Sequence, residues 1–161
     1  MSMQAERGLA LLRIISGLWF LKAALNHLTF ETKPPWASEF WQQEMGRLMG
    51  LYGENHPFPW FKSFMEQYLV PNQATLAGVS SLVELVVAGS LCLGLLTPVG
   101  ALAGLLYAGV FGLMKAHTGL GPQGLYLMLA GSMLVFALCR AGRHWGMDAG
   151  LARMWEDSPL W

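Results

Sequence analysis

The sequence predicts an all-α membrane protein, a four-transmembrane-helix bundle with amphipathic helices in the first external loop. Three observations predict it. Hydrophobic residues make up 54% of the 161-residue chain and charged residues 12%, about half the charged share of an ordinary soluble domain. Four apolar segments each approach the roughly 20 residues that cross a hydrocarbon core. The polar residues gather in one long loop and a tail rather than throughout the chain.

The first span covers residues 8–29. Arg13 and Lys22 interrupt it and no Ala-x-Ala cleavage pattern follows, so it is expected to stay as an anchor rather than leave as a secretory signal. The other spans are 76–97, 98–117 and 122–141. Thr97-Pro98 makes a tight turn between the second and third, and Gly119-Leu120-Gly121-Pro122 breaks the chain before the fourth, so both adjacent pairs are antiparallel hairpins. In the external loop 30–75, Trp36, Phe40, Trp41, Met45, Leu48, Met49 and Tyr52 recur at helical spacing, as do Trp60, Phe61, Phe64, Met65, Tyr68 and Leu69. Two short amphipathic helices follow, separated by His56-Pro57-Phe58-Pro59, with Pro71 ending the second. They are expected to lie along the outer membrane surface, aromatic faces down, as a lid over the bundle.

Arg7 precedes the first span and Arg140, Arg143 and Arg153 surround or follow the fourth, which by the positive-inside rule puts both termini in the cytoplasm. Lys33, Arg47 and Lys62 on the other side are diluted by Glu31, Glu39, Glu44, Glu54 and Glu66. The expected location is therefore the cell (plasma) membrane, multi-pass, with a cytoplasmic tail 142–161 whose Trp145, Trp155 and Trp161 suit the interface.

Lys plus Arg equals Asp plus Glu at ten each, so no global field recruits nucleic acid. Cys92 and Cys139 fall in different spans without CxxC spacing, and neither an HxxxH pair nor a carboxylate set has metal-ligand spacing. No metal, nucleotide fingerprint or P-loop is expected, and any catalytic partner domain belongs on another chain. The third span carries Gly100, Gly104, Ala108, Gly112 and Ala116 every four residues. Such a stripe lets another helix come close, either inside the bundle, which is the simpler reading, or at a dimer or partner interface.

Ionisable residues in the spans need a physical reason, because a charge at mid-membrane costs at least about 2.5 kcal/mol on insertion scales. Lys22 and Glu84 each fall roughly 10–12 Å inside the outer end of their spans, so an ion pair is expected. It either fixes helix register or leaves Glu84 as a proton-passing carboxylate beside a cation. Arg13 is expected to snorkel toward lipid phosphates. Asn26, His27, Lys115 and His117 cluster near the outer ends of the first and third spans, where converging donors would hold a small oxyanion or the carbonyl of a quinone.

Four stretches carry a family resemblance across most of the chain. They are Leu12-Arg13-Ile14-Ile15-Ser16-Gly17-Leu18-Trp19-Phe20-Leu21-Lys22, then Pro59-Trp60-Phe61-Lys62-Ser63-Phe64 leading to Val70-Pro71-Asn72, then the run Glu84-Leu85-Val86-Val87-Ala88-Gly89-Ser90-Leu91 onward to Thr97, and Ala141-Gly142-Arg143-His144-Trp145-Gly146-Met147-Asp148. Together they resemble the DoxX/DoxD family, whose DoxD branch includes the small membrane subunit of thiosulfate:quinone oxidoreductase. The first span departs from the pattern, with Ala23-Ala24-Leu25-Asn26-His27 where a small residue and a lysine are common. The resemblance implies a four-helix membrane protein linked to oxidation of sulfur compounds and quinone reduction, with partner subunits. The expected function is thus a membrane subunit of a quinone-linked electron-transfer complex, with Glu84 and Lys22 at the chemistry. The alternative is a noncatalytic accessory subunit of a larger assembly or homo-oligomer.

Overall fold

The computed structural model describes residues 3–28, 36–54 and 56–154. Those residues form seven α-helices with short π and 3-10 turns: α1 (Met3–His27), α2 (Glu39–Glu54), α3 (Pro59–Phe64), α4 (Gln73–Leu93), α5 (Thr97–Met114), α6 (Leu120–Leu138) and α7 (Asp148–Met154). Four helical segments are long and apolar enough to cross a membrane: α1, the continuous rod Pro59–Leu93 that ends in α4, α5 and α6. The protein is an all-α, multi-pass membrane protein built on a four-helix bundle. In sequence order the spans pack α1 on α4, α4 on α5 and α5 on α6, while α1 and α6 meet only slightly. Phe20, Val87, Leu91, Ala101, Ala108, Met133 and Phe136 are buried at the centre. The outward faces carry Leu11, Leu18, Val86, Leu102, Leu106 and Leu127, exposed in the isolated chain and suited to lipid.

Close helix approach is set by residues that lack bulk. A Cβ added to Gly17 would stand 2.7 Å from Cys92 Sγ and 2.8 Å from its backbone nitrogen, so α1 rests directly on α4. Along the small-residue face of α5, Gly100 abuts Ser90, Gly104 abuts Met133 and Val87, Gly112 abuts Tyr126, and Ala108 is buried. Those positions pack within the bundle; Ala116, past the end of α5, is half-buried.

Pro71 does not end the second loop helix. The chain passes from α3 through a π turn (Met65–Leu69) and a 3-10 turn (Val70–Asn72) into α4 without a break. Proline lacks an N–H and crowds the carbonyl four residues back. Here the backbone around it switches register, the Val70 N–H donating to Met65 O and the Gln73 N–H to Val70 O. The Asn72 side chain donates to Tyr68 O at 2.9 Å, so that carbonyl is satisfied too. A widened turn before the proline and a tightened one after it absorb the ring.

α2 is a lid in contact with the bundle. Trp41, Met45, Met49 and Gly53, four residues apart, are buried against α4, α5 and the π turn. Its far side carries the Glu44–Arg47 pair, where the guanidinium holds the half-buried carboxyl below the ordinary carboxylate range. Aromatic residues do not all face inward: Phe40, Trp60, Phe64 and Tyr68 are exposed.

At the terminal end, Arg13 is fully buried rather than snorkelling. It donates to Ala141 O at 3.3 Å and Trp145 O at 3.0 Å, because the segment after α6 folds back over α1 and closes its route to lipid. Asp148 accepts from the backbone N–H groups of Leu96 at 2.7 Å and Thr97 at 2.9 Å, capping the start of α5. α4 stops at Gly94, which takes the left-handed conformation (φ 62°) while the Leu95 N–H donates to Ser90 O at 3.1 Å. Trp145 is exposed; Lys33, Trp155 and Trp161 lie outside the described residues.

Candidate functional site

Glu84 lies eleven residues after Gln73 in α4, about 16 Å along the helix, and its side chain is 0% exposed. A carboxylate buried there needs donors on both oxygens. Tyr107 OH of α5 donates to Oε1 at 2.5 Å, and His27 Nδ1, at the end of α1, is 2.8 Å from Oε2. The His27 ring stacks on Trp41 of α2, with centroids 3.7 Å apart and planes 7° from parallel. Trp41 Nε1 donates to Ser80 Oγ at 3.1 Å, and Ser80 Oγ donates to Ala77 O at 2.9 Å. One polar network thus ties the lid to three spans around a single carboxyl group.

The predicted Lys22–Glu84 ion pair does not form. Lys22 is exposed and His27 takes the place beside Glu84. The two positions are five residues apart on α1, about 140° around the helix, so only one of them can face α4. Lys22 lies little more than a turn from the end of α1, within snorkelling reach of the headgroups. Asn26 is exposed, and its carbonyl accepts from Ser38 Oγ at 3.5 Å.

Lys115 and His117 belong to a second cluster. Lys115 Nζ donates to Tyr126 OH at 3.2 Å and lies 5.0 Å from the Tyr126 ring centroid and 5.8 Å from that of Tyr52. The His117 ring meets Tyr52 and His56 edge-on, and its Nδ1 is buried without a hydrogen-bond partner. His56 Nε2 is 2.9 Å from Leu113 O, while Nδ1 accepts from the Phe58 N–H at 3.2 Å. His27 touches the lid at Trp41 and His117 touches it at Tyr52, positions about 16 Å apart along a helix. The predicted donor set is therefore split between the two ends of α2.

Beside the first cluster, a groove of about 240 Å³ runs between α4 and α5. Val79, Val83, Leu106 and Val110 wall it, its lining is almost wholly apolar, and Ser80 and Tyr107 are among its lining residues. Val79, Leu106 and Val110 are exposed, so the groove opens on the lipid-facing surface. Chemically, His27 is the 18%-exposed member of a triad whose carboxylate is sealed. An imidazole can take a proton at one ring nitrogen and release one from the other, passing it to Glu84 and on toward the Tyr107 hydroxyl beside the groove.

Sequence reasoning missed Tyr107, Trp41, Ser80, Tyr126 and Tyr52. The signal for Tyr107 was present: it falls on the buried face of α5 with Gly100, Gly104, Ala108 and Phe111, and a mid-span phenol on a packed face needs an acceptor. No family model matches the chain, and no curated protein or solved structure matches it.

Proposed function

We propose that this chain is the membrane subunit of a quinone-linked electron-transfer complex, with a lipophilic quinone entering the groove between α4 and α5 and the His27–Glu84–Tyr107 relay carrying its protons. The observation that supports this reading is the sealed Glu84 carboxyl hydrogen-bonded to a partly exposed histidine on one side and to a groove-lining tyrosine on the other. The groove fits such a molecule because its walls are apolar and open to lipid and Tyr107, which holds Glu84, is among its lining residues. Reduction to the quinol takes two electrons and two protons. The electrons come from a donor on a partner subunit, since this chain has no redox-cofactor motif, and the protons pass from His27 through Glu84 and the Tyr107 hydroxyl. On this reading the complex sits in the cell membrane with both termini in the cytoplasm and the α2 lid outside. The resemblance to the DoxX/DoxD family supports a sulfur compound as the electron source.

The test is Glu84→Gln in the reconstituted complex. Glutamine keeps the shape and can still accept from Tyr107, so the bundle assembles, but it cannot carry a proton. General acid–base participation contributes roughly 10²- to 10⁴-fold, and quinone reduction is expected to fall within that range. Unchanged turnover in an assembled Glu84→Gln complex removes the proton role and leaves a noncatalytic accessory subunit.

A further inference from the structure

Where α6 ends, the first two turns of α1 and the 3-10 turn 141–143 enclose a cavity of about 300 Å³ lined by Glu6, Leu9, Cys139, Arg140, Arg143 and His144. Among the described residues that line it are Arg140, Arg143 and His144, and the His144 Nδ1 is 3.4 Å from Glu6 Oε2. Arg140 is half-buried, and among the described residues its side chain makes no hydrogen bond or ion pair. It is held there by backbone in the left-handed conformation (φ 47°), which L residues adopt at a cost. A partly desolvated guanidinium that no described carboxylate pairs calls for an anion, and its fork of donors matches phosphate oxygens.

The surroundings identify the anion's carrier. The cavity lies at the mouth of the seam where α1 and α6 barely touch. Leu12, next along α1 from the cavity, and Leu134 and Leu138, on the last turns of α6, are exposed apolar residues. A headgroup phosphate in the cavity would leave its acyl chains beside these leucines. Basic pockets at the ends of spanning helices hold anionic lipid headgroups by this combination.

We propose that this cavity is a binding site for one anionic phospholipid, with Arg140 and Arg143 on the phosphate and the chains lying over the α1–α6 seam. The site is separate from the Glu84 relay and does not rest on the quinone reading.

The purified chain, exchanged into nanodiscs of equal phosphatidylglycerol and phosphatidylcholine and released for native mass spectrometry, is expected to retain one phosphatidylglycerol. The double variant Arg140→Gln, Arg143→Gln should reduce that retention about thirtyfold, from roughly a fivefold effect per arginine near the surface. Arg153→Gln, outside the cavity, should not change it. Because the double variant can fail to fold, Leu9→Trp is measured in parallel: it fills the cavity and leaves every charge in place, and it too should lose the lipid. Retention by Leu9→Trp, or equal loss in Arg153→Gln, would mean that diffuse surface charge holds the lipid and would overturn the site. Equal retention of phosphatidylcholine would overturn the anion requirement. Displacement of phosphatidylglycerol by millimolar inorganic phosphate would reassign the cavity to a free small anion.

Discussion

A carboxylate midway along an apolar helix must either be neutralised or be given donors, and in Glu84 the donors come from two other helices. The partner on α1 is His27, and this sets a residue-scale prediction. In a double-mutant cycle measured by unfolding in detergent, His27→Gln and Glu84→Gln should be coupled by about 0.5–3 kcal/mol, as groups in one network are. Lys22→Met, at an exposed position, should alter stability by no more than about 0.5 kcal/mol and should combine additively with Glu84→Gln. Coupling of Glu84 to Lys22 and none to His27 would reverse the assignment. Burial of Glu84 was foreseeable from its place among Leu, Val and Ala. Which α1 residue meets it depends on the rotation of a helix that is apolar nearly all round, and such a helix carries no moment from which to read that rotation.

Among the elements, the least expected behaviour belongs to the turn between α4 and α5 and to the segment that closes it. Thr97-Pro98 was legible as a turn, but the turn proper is Gly94–Leu96, with Thr97 already the first residue of α5. Its free N–H groups are satisfied by Asp148, which lies 51 residues further along the chain from Thr97. Losing a cap costs about 0.5–2 kcal/mol, and each buried backbone donor left unsatisfied adds to that. Asp148→Ala should therefore lower the unfolding free energy by about 2 kcal/mol or more. Asp148→Asn, which keeps one acceptor oxygen, should cost less. Equal stability of Asp148→Ala and wild type in a detergent unfolding series would show that α5 does not depend on the cap. Pro71 teaches the same lesson from the other side: a proline stops an isolated α-helix, but π and 3-10 turns on either side carry this one through.

At the scale of the whole molecule, hairpins α4–α5 and α5–α6 fix an up-and-down order, and α2 covers the end of the bundle away from Met3. If the termini are cytoplasmic, Ser63→Cys, exposed on α3, should react in intact cells with an impermeant thiol reagent. Gln4→Cys, exposed near the N-terminus, should react only after the membrane is opened. Both are placed in a chain whose Cys92 and Cys139 are replaced by alanine. The reverse labelling pattern would invert the orientation, and with it the side from which His27 would exchange protons in the proposed relay.

The sequence by itself determined the solvent and the class of fold: four apolar runs of bilayer length can bury their backbone polar groups only as helices, and antiparallel neighbours follow from short turns. It also determined that Glu84 needs a partner and that the first half of the loop forms an amphipathic helix. Tertiary structure alone decided which groups meet. His27 rather than Lys22 faces Glu84, Lys115 and His117 fall away to the far end of α2, and Arg13 is claimed by carbonyls of the segment after α6. The reason is that hydropathy fixes depth along the membrane normal but not the rotation of each helix about its own axis. Rotation is set by packing, where Gly17 lets α1 rest on α4 and Gly104 admits Met133, and a turn of about 100° per residue moves a side chain from the core to lipid.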